Sequence, residues 1–374
     1  MNVLLLSRHG RMGAGSRIRS YQYLPYLAAH DMNVTIAPLL DDEYLRGLYA
    51  AGRGGRLRAG LRAYAGRLRA LAGCRKFDLI WVEDEILPFA PAVVEWLLAR
   101  LGVPYVVDYD DAVFHGYEHH RQPAVRALLG RKIDAVMRHA RLVTVGNEYL
   151  AEHARRAGAN AVAVLPTVVD LARYDAAPSN AGGGFTIGWI GSPVTGKYLA
   201  MLRDALQAVC RRVAGARVVV VGCRPESADF GPDVPVTVLP WSEASEADAL
   251  RGFDVGIMPL PDSPWERGKC GYKLIQYMAC AKPVVASPVG VNARIVVPGE
   301  NGFHATRTSE WINALTRLAS DADLRARLGA AGRARVEREY CLAVTAPRLA
   351  ALLRAAAATG SKRVAPFLQT PAKT

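Results

Sequence analysis

The sequence predicts an α/β protein of two Rossmann-like domains, each a parallel sheet with helices on both faces, meeting at a cleft. Three observations carry this. Short apolar runs rich in β-branched residues alternate from end to end with helical patterns, which is the pattern of βαβ units rather than of hairpins. The stretch Asp175–Gly184, DAAPSNAGGG, has the Pro, Ser, Asn and Gly content of a linker. Both halves open alike, with a strand running into a glycine-bearing loop: VLLLSRHGRMGAG and FTIGWIGSPVTGK. The expected domains are residues 1–174 and 185–340. In paired sheets of this kind a ligand sits outside the carboxyl ends of the strands.

In chain order, the expected strands of the first half are Val3–Leu6, Val34–Ala37, Leu79–Val82, Tyr105–Val107, Leu142–Val145 and Val162–Leu165. Those of the second are Thr186–Ile190, Arg217–Val221, Val236–Leu239, Val255–Met258 and Val284–Ala286. A helix is expected after each glycine loop, over Ser16–Leu27 in the first half, and another from Gly271, with Tyr272, Leu274, Ile275, Tyr277 and Met278 as its apolar side. Residues 297–303, including PGENGF, are a glycine turn in this scheme. The tail 359–374 has the composition of a disordered segment.

A chain of 374 residues is long enough for two domains of about 150–180 residues, each with its own core. With 51% hydrophobic and 22% charged residues the composition is that of a globular protein. No apolar run approaches the ~18 residues of a membrane span, and MNVLLLSRHG is expected to be a first strand rather than a leader. The six cysteines are scattered without CxxC pairs, which points to reduced thiols in a cytoplasmic protein and not to a disulfide framework. The formal charge is +13. Between Tyr44 and Phe77 there are nine basic residues, Arg46 through Lys76, and no acidic one. Leu48, Leu57, Leu61, Tyr64, Leu68 and Leu71 recur there at helical spacing. A basic amphipathic helix of this kind suits an anionic membrane surface at its inner face; an ordinary solvated face would look the same. No motif for nucleic acid accompanies the charge.

Residues 253–303 carry the most chemistry. A strand ends at Pro259, a polar loop with Glu266, Arg267 and Lys269 follows, and a helix opens near Gly271 with Lys273 in its first turn. A helix N-terminus offers unpaired N–H groups to an anion, and the two lysines add charge in the same place. Gly10, Gly13 and Gly15 after the first strand form a glycine loop, with Arg17 and Arg19 behind it. Gly191, Ser192 and Lys197 form another after the first strand of the second half. Trp241 follows the strand Val236–Leu239. Carboxylates gather at strand ends of the first half: Glu83, Asp84 and Glu85, then Asp108, Asp110 and Asp111, with His115 shortly after and Asn147 at a later strand end. Asp111 is also placed to cap a helix. Taken alone, the DxDD of residues 108–111 would suit a divalent metal. His119 and His120 form no spaced ligand set, so no metal is expected.

The run QYMACAKPVVASPVG followed by PGENGF resembles the nucleotide-sugar-binding segment of the retaining glycosyltransferases of family 4, which have the GT-B fold. The family pattern is a Glu, seven residues and a second Glu on the helix. Here the second position is Gln276 and the first is Gly268, with Glu266 two residues earlier. The resemblance implies transfer of a sugar from a nucleoside diphosphate sugar to a carbohydrate or lipid-linked acceptor, with retention of configuration and without metal or other cofactor. It implies a donor site of Gly13, Gly15, Ser192 (where the family has Arg), Trp241, Glu266, Lys269, Gly271 and Gln276. Lys197 and Lys273 would neutralise the leaving diphosphate, and Asp110 stands nearest the position of a family histidine, as an acceptor-side base. Glu83, Asp108, Asp111 and His115 would bind the acceptor. It also implies that a last helix over 341–358 returns to the first domain. Two alternatives stay open: a catalytically impaired GT-B partner protein, because both glutamates and the arginine are replaced, and a nucleotide-sugar epimerase or dehydrogenase of similar fold.

Overall fold

The computed structural model describes residues 1–44, 56–174 and 184–358. The expected linker up to residue 183, the start of the basic segment and the tail 359–374 lie outside the described residues. The chain divides into two units, Met1–Thr167 with the chain from Thr345 onward, and Val168–Val344.

All eleven expected apolar runs are strands. In the first unit they are β1 (Asn2–Leu6), β2 (Asn33–Ile36), β3 (Leu79–Glu83), β4 (Tyr105–Tyr109), β5 (Leu142–Val145) and β6 (Val162–Val164), in the order β2-β1-β3-β4-β5-β6. Every pairing is parallel, with registers such as Val3↔Leu79 and Val106↔Leu142. β3 and β4 are buried at every residue, because helices cover both faces of a parallel sheet.

The second unit contains β7 (Phe185–Ile190), β8 (Ala216–Val221), β9 (Val236–Leu239), β10 (Val255–Met258), β11 (Val284–Ala286) and β12 (Gly302–His304), in the order β12-β11-β10-β7-β8-β9. Its core is built on Trp189, Phe230, Trp311 and the aliphatic residues of β7 and β8. β12 lies where a glycine turn was expected. It pairs in parallel with β11, and a Cβ on Gly302 would stand 2.2 Å from the Val284 carbonyl. That glycine therefore serves strand contact as well as the turn.

Each sheet has one place where the chain reverses its direction of growth: between β1 and β3 in the first unit, and between β7 and β10 in the second. At such a point neighbouring loops leave in opposite directions and open a crevice beyond the strand ends.

The last helix, Leu342–Ala357, groups with the first unit from Thr345 on. Thr345 Oγ1 lies 3.0 Å from the Tyr23 hydroxyl, Arg348 donates to the Val164 carbonyl at 3.1 Å, and Arg354 donates to the His30 carbonyl at 2.7 Å.

The basic segment forms a helix over Arg56–Ala72, but not with the leucine face inward. Leu61 is 63% and Leu68 52% exposed, whereas Arg67 is buried with Leu71. Arg67 donates to the Ala37 and Ser7 carbonyls at 2.8 and 2.6 Å, which is how a buried guanidinium is tolerated. Burial lowers its pKa to about 10. Among the described residues no helix is long and apolar enough to cross a membrane, and all six cysteines are free thiols.

Candidate active site in two strand-end clusters

In the second unit, the loop after β7 and the loop after β10 flank the switch point. Gly191 follows β7 in a crowded place: a Cβ there would stand 2.7 Å from Lys273 Cε and 2.5 Å from Trp189. Beside it Gly222, at φ +80°, would bring a Cβ within 2.5 Å of the Gly191 carbonyl and 3.0 Å of Trp241 Cβ. Two glycine turns, Trp241 and Lys273 are thus neighbours.

Gly271 is the N-cap of the helix Tyr272–Ala279 at φ 68°, a left-handed conformation that glycine adopts at no steric cost. Lys273 in that first turn holds its ammonium 5.2 Å from the Trp189 ring centre. Lys197 is exposed on the turn after Gly191, its ammonium 5.0 Å from the Tyr198 ring centre. Lys269 lies 5.9 Å from the Trp265 ring centre. Ser192 is exposed and its carbonyl accepts from Thr195 and Gly196 in the turn.

Two other residues of this cluster, Glu266 and Gln276, are more enclosed than the sequence suggests. Glu266 is buried and accepts from Tyr198 and Ser263. Burial works to raise its pKa, but those hydrogen bonds and the Lys197 charge outweigh it and hold the carboxyl below its usual value. Gln276 is 2% exposed and donates to the Tyr174 hydroxyl at 3.2 Å. That hydroxyl in turn donates to Glu246, which also accepts from Trp241 Nε1 at 2.7 Å. Arg267 is exposed and pairs with Asp262 at 2.6 Å.

In the first unit the switch point is acidic. Gly13 caps the helix Ala14–Arg19, and a Cβ on it would stand 2.4 Å from His9. A Cβ on Gly15 would stand 3.3 Å from Glu83 Oε1 and 3.7 Å from Asp110 Oδ2. The two carboxylates therefore face one another across the glycine. Glu83 accepts from Ser16 Oγ at 2.6 Å and from the Arg8 N–H at 3.0 Å. Asp84 has φ 59° and pairs with Arg8 at 3.1 Å. A non-glycine residue in that region is strained, and such strain gathers at functional sites.

Burial raises the carboxyls of Glu83, Asp84 and Asp110, each to about 7. The repulsion of neighbouring carboxylates adds to this: Asp110 and Asp108 act on Glu83, Glu83 and Glu85 on Asp84, and Asp111 and Asp84 on Asp110. Hydrogen bonds to Glu83 and the charges of Arg8 and Arg19 oppose it. Groups that act on one another in this way titrate together rather than independently.

Several first-unit candidates are committed to structure. Asp108 is buried under a two-point pair with Arg19, at 2.8 and 2.7 Å, and takes a further hydrogen bond from Thr144. It is therefore not an open ligand for an acceptor hydroxyl, nor is Arg19 an open anion contact. Removing either partner would strand a buried charge, at a cost of about 3–5 kcal/mol. Glu85 is closed off by Lys132 and Tyr117. Asn147 caps the helix Glu148–Arg156 through the Leu150 N–H. Asp111 is half-buried, and the helix Val113–Glu118 starts at an Ala112 cap with no side-chain hydrogen bond. His115 holds Glu118 on one nitrogen and Tyr149 on the other, both at 2.8 Å. The sequence weighed His119 with His120; the fold instead gathers His115, Glu118 and His119. Arg8, Ser16, Tyr174, Tyr198 and Glu246 escaped the sequence reading, since their partners are distant in the chain or common in type.

Comparisons with known proteins agree with this division. A model described as "Glycosyl transferase 4-like domain" matches residues 30–167, and one described as "Glycosyl transferases group 1" matches residues 184–321. No curated protein matches the sequence. Among solved structures, HepE of Anabaena in complex with UDP-glucose is similar at a TM-score of 0.72 and 18% identity, covering 95% of this chain and 99% of that one. Sucrose-phosphate synthase of Thermosynechococcus elongatus is similar at 0.69 and 17%, covering 95% and 98%. WaaG, described as a glycosyltransferase involved in lipopolysaccharide biosynthesis, is similar at 0.68 and 12%, covering 94% and 99%. These identities carry the fold, and the family models carry the activity class. With a glycosyltransferase model on each unit and two parallel six-stranded sheets of the matching architecture, the chain belongs to the glycosyltransferases of GT-B type.

Proposed function

We propose that the protein moves a sugar from a nucleoside diphosphate sugar to a carbohydrate or lipid-linked acceptor, with retention of configuration. No divalent metal at the diphosphate and no other cofactor enter this scheme. The observation that supports it most is the convergence at Gly191: Lys273, Trp241 beyond Gly222, and the turn carrying Lys197. Lysines aimed at a departing diphosphate stabilise charge as it develops, the form of catalysis that contributes most in transfer reactions. The N-terminus at Gly271 adds its N–H groups and dipole. In this reaction the bond from the anomeric carbon to the β-phosphate oxygen breaks. The acceptor oxygen bonds to that carbon from the same face, and its proton passes to the leaving phosphate. Glu83 and Asp110 would hold acceptor hydroxyls; with carboxyls near 7 they can accept or donate a hydrogen bond at neutral pH. That HepE was solved with UDP-glucose, and that WaaG serves lipopolysaccharide synthesis, favours this class of donor and acceptor.

An anionic membrane surface is part of the same proposal. Leu61 and Leu68 stand outward among Arg62 and Arg69, and Val93, Trp96 and Leu97 are exposed on the helix Val93–Arg100.

A thermal-shift panel of nucleoside diphosphates and their sugars, with and without EDTA, tests the donor reading. One nucleotude base should raise the midpoint regardless of EDTA, because it binds the native state alone. No shift with any of them would sink it. A shift without turnover would favour the impaired-partner alternative, which Gly268 and Gln276 motivate. Turnover that leaves the sugar–nucleotide bond intact would favour the epimerase.

A further inference from the structure

The helix Val113–Glu118 and its cap, His119, gather His115, Glu118 and His119 so that one ligand atom from each lies within 4.8 Å of the others. His115 and His119 are four residues apart, a spacing that stacks side chains one turn above another on a helix. Their rings lie 5.5 Å apart and 17° from parallel. Glu118 Oε2 is 2.8 Å from His115 Nδ1, while His115 Nε2 is 2.8 Å from the Tyr149 hydroxyl. The His115 ring also packs edge-on against Phe114 at 4.4 Å. Hydrogen bonding on both ring nitrogens fixes the His115 ring between Glu118 and Tyr149. A metal-ligating histidine is held in the same way, with one nitrogen toward the ion and the other donating its proton to a polar partner.

We propose that His115 Nδ1, the Glu118 carboxylate and His119 form a three-ligand site for a divalent transition metal, with Zn²⁺ the ion of choice. Two imidazoles and one carboxylate are a nitrogen–oxygen set suited to zinc, whereas magnesium and calcium favour all-oxygen sites. The H-x-x-E-H spacing of His115–His119 presents both histidines on one helical face. His119 is exposed, which leaves a fourth position to water. On the other side, His115 and Glu118 border a surface cavity of about 560 Å³ lined also by Arg131, Asp134, His153 and Arg156. None of the strand-end carboxylates lines it, so the site is separate from the machinery above and does not rest on the sugar-transfer proposal. Its effect is mechanical. The helix Val113–Glu118 has only six residues, too few to be stable by itself. An ion bridging its last turn would hold the segment that follows Asp110 and Asp111.

The test is calorimetric titration of the tag-free full chain with ZnCl₂ alone, together with its thermal midpoint in ZnCl₂ and in EDTA. The expected result is one zinc per chain, an EDTA-reversible rise in midpoint, and no competition from MgCl₂. His119→Ala alters an exposed residue and should abolish binding, while Tyr149→Phe should weaken it roughly tenfold by freeing the ring. His120→Ala should change nothing. Absence of zinc binding by the wild-type chain would overturn the site, and so would affinity unchanged in both His119→Ala and Glu118→Gln. If His115→Ala does not fold, His119→Ala decides.

Discussion

Lys197 stands over the Tyr198 ring and reaches solvent; its charge helps hold the buried Glu266 carboxyl, which keeps its hydrogen bonds from Tyr198 and Ser263 when Lys197 is removed. Lys197→Ala should leave stability within about 0.5 kcal/mol of wild type and lower kcat by roughly 10²–10³, the scale for losing one group that stabilises developing charge. Steady-state kinetics beside a melting curve checks both, and undiminished kcat would remove Lys197 from the diphosphate. Asp110 gives a different test, because its carboxyl is raised to about 7. A raised carboxyl means that the folded state binds the proton more tightly than the unfolded one. Its contribution is therefore lost as pH climbs from about 4 through 7, and the slope of stability with pH is negative there. The lowered histidines, His9 and His153 among them, act in the opposite sense, but their contribution is complete by about pH 6.5, the ordinary histidine value. Comparing wild type with Asp110→Asn cancels them. The variant should gain stability relative to wild type as pH rises from 5 to 8, read by urea melts across that range; a constant difference would show that Asp110 titrates normally.

At the scale of elements, Gln276 ties its helix into a buried hydrogen-bond network. Its amide donates to Tyr174, whose hydroxyl proton already goes to Glu246. A glutamate at 276 could not donate to the Tyr174 hydroxyl and would bring a second carboxylate to the network that holds Glu246. Gln276→Glu should therefore destabilise the second unit by about 1–3 kcal/mol. Adding Glu246→Gln should recover part of the loss, a positive coupling in a double-mutant cycle, whereas strict additivity would show that the two do not share the network. None of this was legible from spacing, since Tyr174 lies 102 residues from Gln276. The strands were legible because a parallel strand buried on both faces is a continuous apolar run. β12 was hidden because it is three residues long, begins with glycine and is only half-buried after it. The strand-end positions of Glu83, Asp108 and Asp110 could be counted along the chain. That Asp108 is consumed by Arg19, 89 residues away, could not. The helix Arg56–Ala72 misled for a similar reason. Pattern counting treats arginine as outward, and Arg67 finds two carbonyls inside.

At the scale of the whole chain, the proposed membrane contact would combine a net charge of +13 with outward apolar side chains on two helices of the first unit. Tyr64 of the basic helix bonds the Pro88 carbonyl, in the loop leading to the helix Val93–Arg100. Trp96, with the Arg100 guanidinium 5.4 Å from its ring centre, combines an apolar body with a cation, as membrane-interface residues do. Charge alone would give weak, fully salt-reversible adsorption, and apolar side chains alone would not distinguish lipid headgroups. Flotation of the full chain with phosphatidylcholine vesicles, with and without phosphatidylserine, separates the contributions. Binding should require phosphatidylserine and fall as ionic strength rises from 0.1 to 1 M, where the screening length shrinks from about 10 to 3 Å. Trp96→Ala with Leu97→Ala should weaken it at constant charge. Equal flotation with neutral vesicles would remove the electrostatic half of the proposal, and no flotation with either would leave the positive charge to solubility alone.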